Sequence, residues 1–365
     1  METKKTVLSV AAAGTVAGVA GLVLLASPAG AGEAPPALPA IGADELVESV
    51  LSAEVPALSG TVAMENDLGL PIPGLPGTAG EGDIRVFTDG QGKHRVQMAG
   101  NGNETTVIDD GSTVWIWNST ERSVTKVPHD AAKGEHADKP LESRLADPAT
   151  AAREIVNAMR AHSSVVVDGT ARVAERPVYQ LVLSPKPTER TLLREVRVSV
   201  DSETRVPLQL EVLANGQADP ALKVGFTEFA DGTQDAGLFR FTPPAGAEVT
   251  EEKPDQAPRG RTPEDVFGEL DFATYGEGWD IVATGTLPEG ALTMPTPRGE
   301  GRDLVVEGQN PLELLGSLGK QVSGEFGTGY VIETKVGTAL VTEDGKVAVG
   351  FVPEQVVIEA AEQLK

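Results

Sequence analysis

The spacing of apolar and polar residues predicts that this chain is built mainly from short β-strands. Short segments alternate apolar and polar side chains, and turns rich in Gly, Asp or Asn separate them. Because the connections are short, neighbouring strands are expected to pair in antiparallel fashion. The predicted strands fall at 58–64, 82–88, 93–99, 104–109, 112–118, 123–128, 176–185, 193–201, 205–214, 222–230 and 237–244.

Two helices are predicted among these strands. Apolar residues within 46–51 recur at helical spacing behind Asp44, a candidate N-cap. Asp147 and Pro148 suit the N-cap and first position of a second helix, which carries Ile155 on its apolar face. Two short helices cannot cover the apolar face of so wide a sheet. The sheet must therefore close on itself or leave a cavity.

A smaller unit follows a charged, Pro-rich linker at 251–265. Its pattern predicts a strand at 279–288, a helix at 310–319, strands turning at the Asp-Gly pair 344–345, and a last helix opening at Pro353. The predicted organisation is a targeting segment at 1–31, a Pro/Ala spacer at 32–43, a first domain at 44–250, the linker at 251–265, and a small α/β domain at 266–365.

The N-terminus has the pattern of an export signal. Lys4 and Lys5 precede an apolar run at 7–26, and small residues supply a cleavage site after Ala31. The run also matches the length of about 20 residues that spans a bilayer, so an uncleaved anchor is the alternative. In both cases the rest of the chain is expected to work outside the cytoplasm, secreted or in the cell envelope.

Composition excludes several functions. The formal net charge is −24, which disfavours nucleic acid as a partner because phosphates need a basic surface. The chain has no cysteine, so disulfides, thiolate nucleophiles and cysteine-ligated metals are impossible. His129 and His136 lack the spacing of metal ligands, and Asp109 and Asp110 are interpreted as turn formers. We predict no metal, cofactor or catalytic residue, and no enzyme.

Three motifs resemble a known family. The segment "DDGSTVWIWN" resembles its aspartate-glycine turn followed by a strand with two aromatics, "RPVYQLVLSPK" its strand ending in a Pro-Lys turn, and "LFRFTPPAGAEV" its closing strand. Over about residues 44–250 the chain thus resembles the LolA-type lipoprotein carriers and the related MucB/RseB-type regulators of extracytoplasmic sigma factors. The added C-terminal unit resembles the MucB/RseB layout more than the single-domain carriers.

The resemblance implies a mainly β (α+β) fold: a curved antiparallel half-barrel whose apolar face is lidded by helices and loops and receives acyl chains. Trp115 and Trp117 face one way on their strand while Val114 and Ile116 face the other, and the indoles either line the cavity or fill a closed core. The residues expected to line the cavity are Trp115, Trp117, Ile84, Val86, Val96, Met98, Tyr179, Leu181, Leu183, Val196, Val198, Leu208 and Leu210.

One loop is a candidate lid. Residues 66–80 alternate apolar side chains with Pro and Gly, a pattern too rigid for a helix and too apolar for an ordinary exposed turn. The alternative is a long connection tucked against the sheet. The family's Arg-Pro lid latch is missing, because Thr88-Asp89 stands in that region. The lid or docking residues expected are Leu68, Leu70, Ile72 and Leu75.

The resemblance implies two functions. The first is an extracytoplasmic carrier that shelters the acyl chains of a lipid or lipoprotein, with a membrane transporter as a further partner. The second is a sensor that regulates a membrane anti-sigma factor. An extracellular hydrolase is a third possible function, but no residue in the sequence stands out as a candidate catalytic group.

Overall fold

The computed structural model describes residues 35–67, 84–100, 103–128, 148–251, 273–287, 315–317 and 319–364. The predictions made for the N-terminal segment, for the apolar loop residues Leu68 to Leu75, for His129 and His136, and for most of the linker and the helix at 310–319 lie outside these ranges. Within them, no helix is long and apolar enough to cross a membrane.

A large sheet of 12 strands dominates the fold. Strands β1 to β6 lie side by side in chain order on one side of the sheet. Strands β7 to β11 form the other side, with β7 at the outer edge and β11 paired with β1. The strands are β1 (Leu58–Asn66), β2 (Ile84–Thr88), β3 (His94–Gly100), β4 (Asn103–Asp109), β5 (Thr113–Asn118), β6 (Ser123–Pro128), β7 (Ser163–Val173), β8 (Arg176–Pro185), β9 (Leu193–Asp201), β10 (Pro207–Ala214), β11 (Leu222–Asp231) and β12 (Glu248–Glu251).

The large sheet is curved and antiparallel and does not close into a barrel. Its two edges are β7 and β12, and β12 departs from the pattern by pairing with β6 in parallel. At the β7 end, Val173 and Val178 share a core cluster with Leu58 and Phe226, which lie on strands that are not their neighbours in the sheet. The tip of the β7–β8 hairpin therefore folds back over β1 and β11. The predicted half-barrel is confirmed.

Helices α1 (Ala43–Ser52) and α2 (Pro148–Met159) cover part of one face, called here the inner face. Helix α1 lies against β7 and β8, and α2 lies against β10 and β11. Helix α2 begins at the predicted Pro148, whereas α1 begins two residues earlier than expected, with Gly42 rather than Asp44 at its N-cap. Asp44 instead lies in the first turn, where its charge suits the helix dipole.

The segment that follows β11 is not the strand predicted at 237–244. Ala236–Phe239 forms a 3₁₀ turn capped by the Asp235 carboxylate, and extended chain leads from there to β12. This segment crosses the outer face of the sheet, where Arg95 donates a hydrogen bond to the carbonyl of Leu238 at 3.1 Å. Alternation alone misled the prediction, because a segment that packs across strands also alternates buried and exposed residues.

A second sheet of six strands lies in the C-terminal part. Helix α3 (Glu354–Ala361) covers one face of it, burying Val356 and Val357 against Val282 and Leu340. The predicted hairpin at 344–345 and the last helix are confirmed. The strands are β13 (Ala273–Tyr275), β14 (Val282–Thr286), β15 (Lys320–Gly324), β16 (Gly327–Glu333), β17 (Thr338–Thr342) and β18 (Lys346–Gly350).

Candidate functional site

The inner face has a closed half and a more open half. On β8–β10 the predicted cavity residues are buried beneath the helices, in one cluster with Leu46, Val50 and Val156. The start of the described chain adds to this cover, because the Tyr179 hydroxyl donates to the carbonyl of Pro39 at 3.0 Å. The predicted residues in this closed half are Tyr179, Leu181, Leu183, Val196, Val198 and Leu210, with Leu208 in the adjoining cluster.

The more open half lies on β2–β6. Cross-strand pairing aligns Val86, Val96, Val107 and Ile116 in one row, because residues directly opposite in antiparallel strands point to the same face. Val86 is buried, but the other members of the row are only half-buried. Ile84 and Met98 form a neighbouring pair on this face. Half-buried apolar side chains side by side are a surface that an apolar ligand can cover.

Sequence reasoning missed part of this face. Val107, Val114, Ile116 and Val127 are half-buried inner-face residues that were not among the predicted cavity residues. The signal was present, because Val114 and Ile116 alternate with the tryptophans. The sequence favours the two indoles instead because of their size.

Trp115 and Trp117 lie on the outer face. Trp115 pairs with Ile108, and Trp117 pairs with Thr106 and Val124, all on the side opposite to the Val86–Ile116 row. The structure therefore divides the predicted cavity residues into two sets on opposite faces. The indoles and the inner-face residues cannot line one shared cavity in this arrangement.

Trp115 has well-defined contacts on that outer face. Its ring packs 5.7 Å from the ring of Phe241, in the segment that crosses the outer face, and the Lys126 ammonium lies over it at 5.9 Å. Its Nε1 donates to Asp110 Oδ2 at 3.0 Å. Burial tends to raise the pKa of Asp110, but hydrogen bonds from Ser112, Trp115 and the turn backbone lower it to about 2. The Asp-Asp-Gly-Ser turn thus anchors the first indole.

A pocket of about 460 Å³ lies where the large sheet meets the C-terminal sheet, lined by His162, Glu189, Arg190, Tyr275 and Asp280 among others. Beside it, the indole of Trp279 is buried in the same cluster as the helices of the inner face, and its Nε1 donates to Ser163 Oγ at 2.9 Å. Arg190 pairs with Glu359 of α3 at 2.8 Å.

A second pocket, of about 400 Å³, lies at the rim of the inner face and is lined by Ala53, Glu54, Val55, Thr88, Gly90, Gly92, His94 and Arg153. Thr88 and His94 are cross-strand partners, one pair beyond Val86 and Val96 on the same face. The Nε and Nη2 atoms of Arg153 are buried and have no hydrogen-bond acceptor among the described residues. The rim pocket thus places two buried guanidinium nitrogens next to an apolar row.

Among the described residues, no group of histidine and carboxylate side chains is placed to hold a metal ion. The arrangement they do form is an apolar sheet face with an arginine-containing pocket at its rim. It defines a class of protein: a mainly β half-barrel with a helical layer on its inner face and a small second sheet beside it.

Proteins similar to this chain are found among solved structures. No family model and no curated protein matches the sequence. A solved MucA/MucB complex of Pseudomonas aeruginosa is similar at 16% identity with a TM-score of 0.43, covering 87% of this chain and 96% of that one. A LolA superfamily protein of Nitrosomonas europaea is similar at 11% identity with a TM-score of 0.25, covering 55% and 99%.

A putative outer membrane lipoprotein-sorting domain from Vibrio parahaemolyticus is also similar, at 9% identity with a TM-score of 0.24, over 54% of this chain and 95% of that one. With so little identity, its function has to be argued from its own side chains.

Proposed function

We propose that this protein is an extracytoplasmic, non-enzymatic binding protein that shelters an acyl chain of a lipid or lipoprotein on the inner face of its half-barrel. The observation that supports this most directly is the row of half-buried apolar side chains on β3–β5, beside the part of the sheet that α1 and α2 cover. An acyl chain lying along Val96, Val107 and Ile116 would remove this surface from water.

Burial supplies enough free energy for such binding. Each methylene group removed from water contributes about 0.8 kcal/mol, so one long chain contributes on the order of 10 kcal/mol before entropic costs. No directional contact with the chain is required, which suits a sheet face built from aliphatic side chains. Leu68, Leu70, Ile72 and Leu75 complete the proposal as a lid or docking loop, since they join the end of β1 to the start of β2.

A second candidate function is a sensor that regulates a membrane anti-sigma factor. The contact between Trp279 and the helix-covered core favours it. A ligand that displaced α2 would also disturb the packing of Trp279, and hence the C-terminal sheet. Ligand occupancy on the inner face would then change the affinity of that sheet for a partner, as coupling between two sites requires.

Adjacent residues of β5 offer a sharp test of the proposal. Ile116→Gln places an amide on the inner face, and Trp117→Gln places the same amide on the outer face of the same strand. An unpaired amide in an apolar site costs about 1–3 kcal/mol, so Ile116→Gln is expected to weaken acyl-chain binding by about tenfold. Trp117→Gln is expected to leave it within about twofold.

The measurement is titration with the fluorescent fatty acid cis-parinaric acid and its displacement by palmitate, with a thermal melt of each variant to verify folding. Equal loss of binding in both variants, or loss only in Trp117→Gln, would contradict the inner-face site.

Mass spectrometry of organic extracts from protein purified without detergent identifies the natural ligand. Genes for a sigma factor and its anti-sigma factor beside this one would favour the sensor, and genes for a lipid-export transporter would favour the carrier.

A further inference from the structure

The rim pocket holds the strongest unexplained feature of the described chain. Arg153 extends from α2 into it, and two of its guanidinium N–H groups are buried without an acceptor among the described residues. Buried polar groups are nearly always paired, and a charged group left unpaired is especially costly. Buried guanidinium nitrogens of this kind need an explanation, and a bound ligand that supplies the missing acceptor is one.

The chemistry of the pocket fits an anion. A guanidinium binds phosphate or carboxylate oxygens through two parallel hydrogen bonds, and the imidazole of His94 adds a further donor. Glu54 also lines the pocket, and the side chains of Glu54 and His94 are both exposed, so the buried guanidinium nitrogens of Arg153 are the main anion-binding group. Gly92 leaves room, since a Cβ there would meet no atom within 4 Å.

The position of the pocket indicates what the anion is attached to. Thr88 and His94 in the pocket wall are followed along their strands by Val86 and Val96, on the same face and about 7 Å away. A ligand with its anion on Arg153 would therefore lay an attached chain along the apolar row toward Val107 and Ile116. Free phosphate would leave that row uncovered.

We propose that Arg153, with His94, binds the anionic headgroup of a lipid whose acyl chain lies on the inner face. This inference rests on the proposed function and names the class of its ligand. Arg153 is then a ligand-binding residue. The ligand lies in one orientation, with its headgroup near the β2–β3 turn and its acyl chain along the apolar row.

The test uses the full chain and two lipids that differ only in the phosphate: 1-palmitoylglycerol and 1-palmitoylglycerol 3-phosphate, titrated calorimetrically below their micellar concentrations. Inorganic phosphate alone is the third probe. The variants are Arg153→Gln and a matched control, Arg85→Gln, which removes an exposed arginine from the outer face of β2. The wild type is expected to bind the phosphate lipid roughly 10- to 100-fold more tightly than the neutral one.

Arg153→Gln is expected to abolish this preference while keeping affinity for the neutral lipid, and Arg85→Gln is expected to preserve it. If both lipids bind equally well to the wild type and to Arg153→Gln, the acyl site stands and the headgroup site is overturned. If the folded wild type binds neither lipid, the proposed function itself fails. If inorganic phosphate binds as tightly as the phosphate lipid, the pocket is a free-phosphate site and the lipid source is overturned.

A stability measurement separates a binding role from a structural one. Arg153→Met removes an unsatisfied buried cation, so its melting temperature is expected to equal or exceed that of the wild type. A marked decrease in the melting temperatures of both Arg153→Met and Arg153→Gln would show that the arginine supports the fold, and would overturn the inference.

Discussion

Replacing Asp201 by Ala is expected to lower the free energy of unfolding by about 3–5 kcal/mol, because it leaves a partly buried arginine without its main partner. Asp201 is fully buried, and its carboxylate accepts hydrogen bonds from Arg176 Nε at 3.0 Å and Nη2 at 2.9 Å. It also accepts from the backbone N–H and the hydroxyl of Thr204, both at 2.8 Å. These bonds tie the β9–β10 turn to the start of β8.

Glu203→Ala is the matched control for this prediction. Glu203 pairs with the same Arg176 nitrogen at 2.9 Å, but its side chain is 72% exposed. Exposed pairs contribute about 0–1 kcal/mol, so the control should be nearly neutral. Urea unfolding of both variants is the measurement. Equal small losses in the two variants would show that the buried pair does not stabilise the turn.

The same pair predicts the response to acid. Burial tends to raise the pKa of Asp201, but the hydrogen bonds from Arg176 and Thr204 outweigh it and lower the pKa below its usual value. The stabilisation is therefore present above the unfolded pKa of about 4 and is lost as the pH falls through the lower folded value. Asp201→Asn should show a smaller loss of stability than the wild type over this acid range.

Replacing Trp279 by Ala is expected to cost about 3–5 kcal/mol and to loosen the attachment of the C-terminal sheet to the half-barrel. The indole is 3% exposed and belongs to the core cluster that contains α1, α2 and the inner face of β8–β10. Its backbone N–H donates to Glu189 Oε2 at 2.9 Å, which adds a link to the β8–β9 loop. Removing the ring would open a large cavity at this junction.

Ser163→Ala is the control, since it removes the acceptor of the indole N–H and the hydroxyl donor to the Met159 carbonyl but leaves the ring in place, and it should cost about 1–2 kcal/mol. Thermal melts measure the stability, and hydrogen exchange of residues 186–192 reports on the junction, where Leu192 N–H donates to the carbonyl of Phe351. Trp279→Ala should accelerate exchange there. Unchanged exchange in a destabilised variant would mean that Trp279 supports the half-barrel core without holding the two sheets together.

The sequence alone determined the local elements of this protein. Alternation at period two within 176–212 and the short polar turns identified strands, and Pro148 identified the start of α2, because these features depend on neighbours in sequence. The strand β7 was not predicted, although it lies at the edge of the sheet. Its glycine at 169 has a positive φ of 82° and falls where the β7–β8 register shifts, so the alternation that signals a strand is interrupted.

The candidate site depended on the tertiary structure. Within one strand, alternation shows that Trp117 and Ile116 face opposite ways, but only the strand order and register show which of them shares a face with the helices. The same limit hid the rim pocket, since Arg153 and His94 are brought together by packing between segments far apart in sequence. Local patterns decided what each segment becomes, and long-range pairing decided which side chains meet.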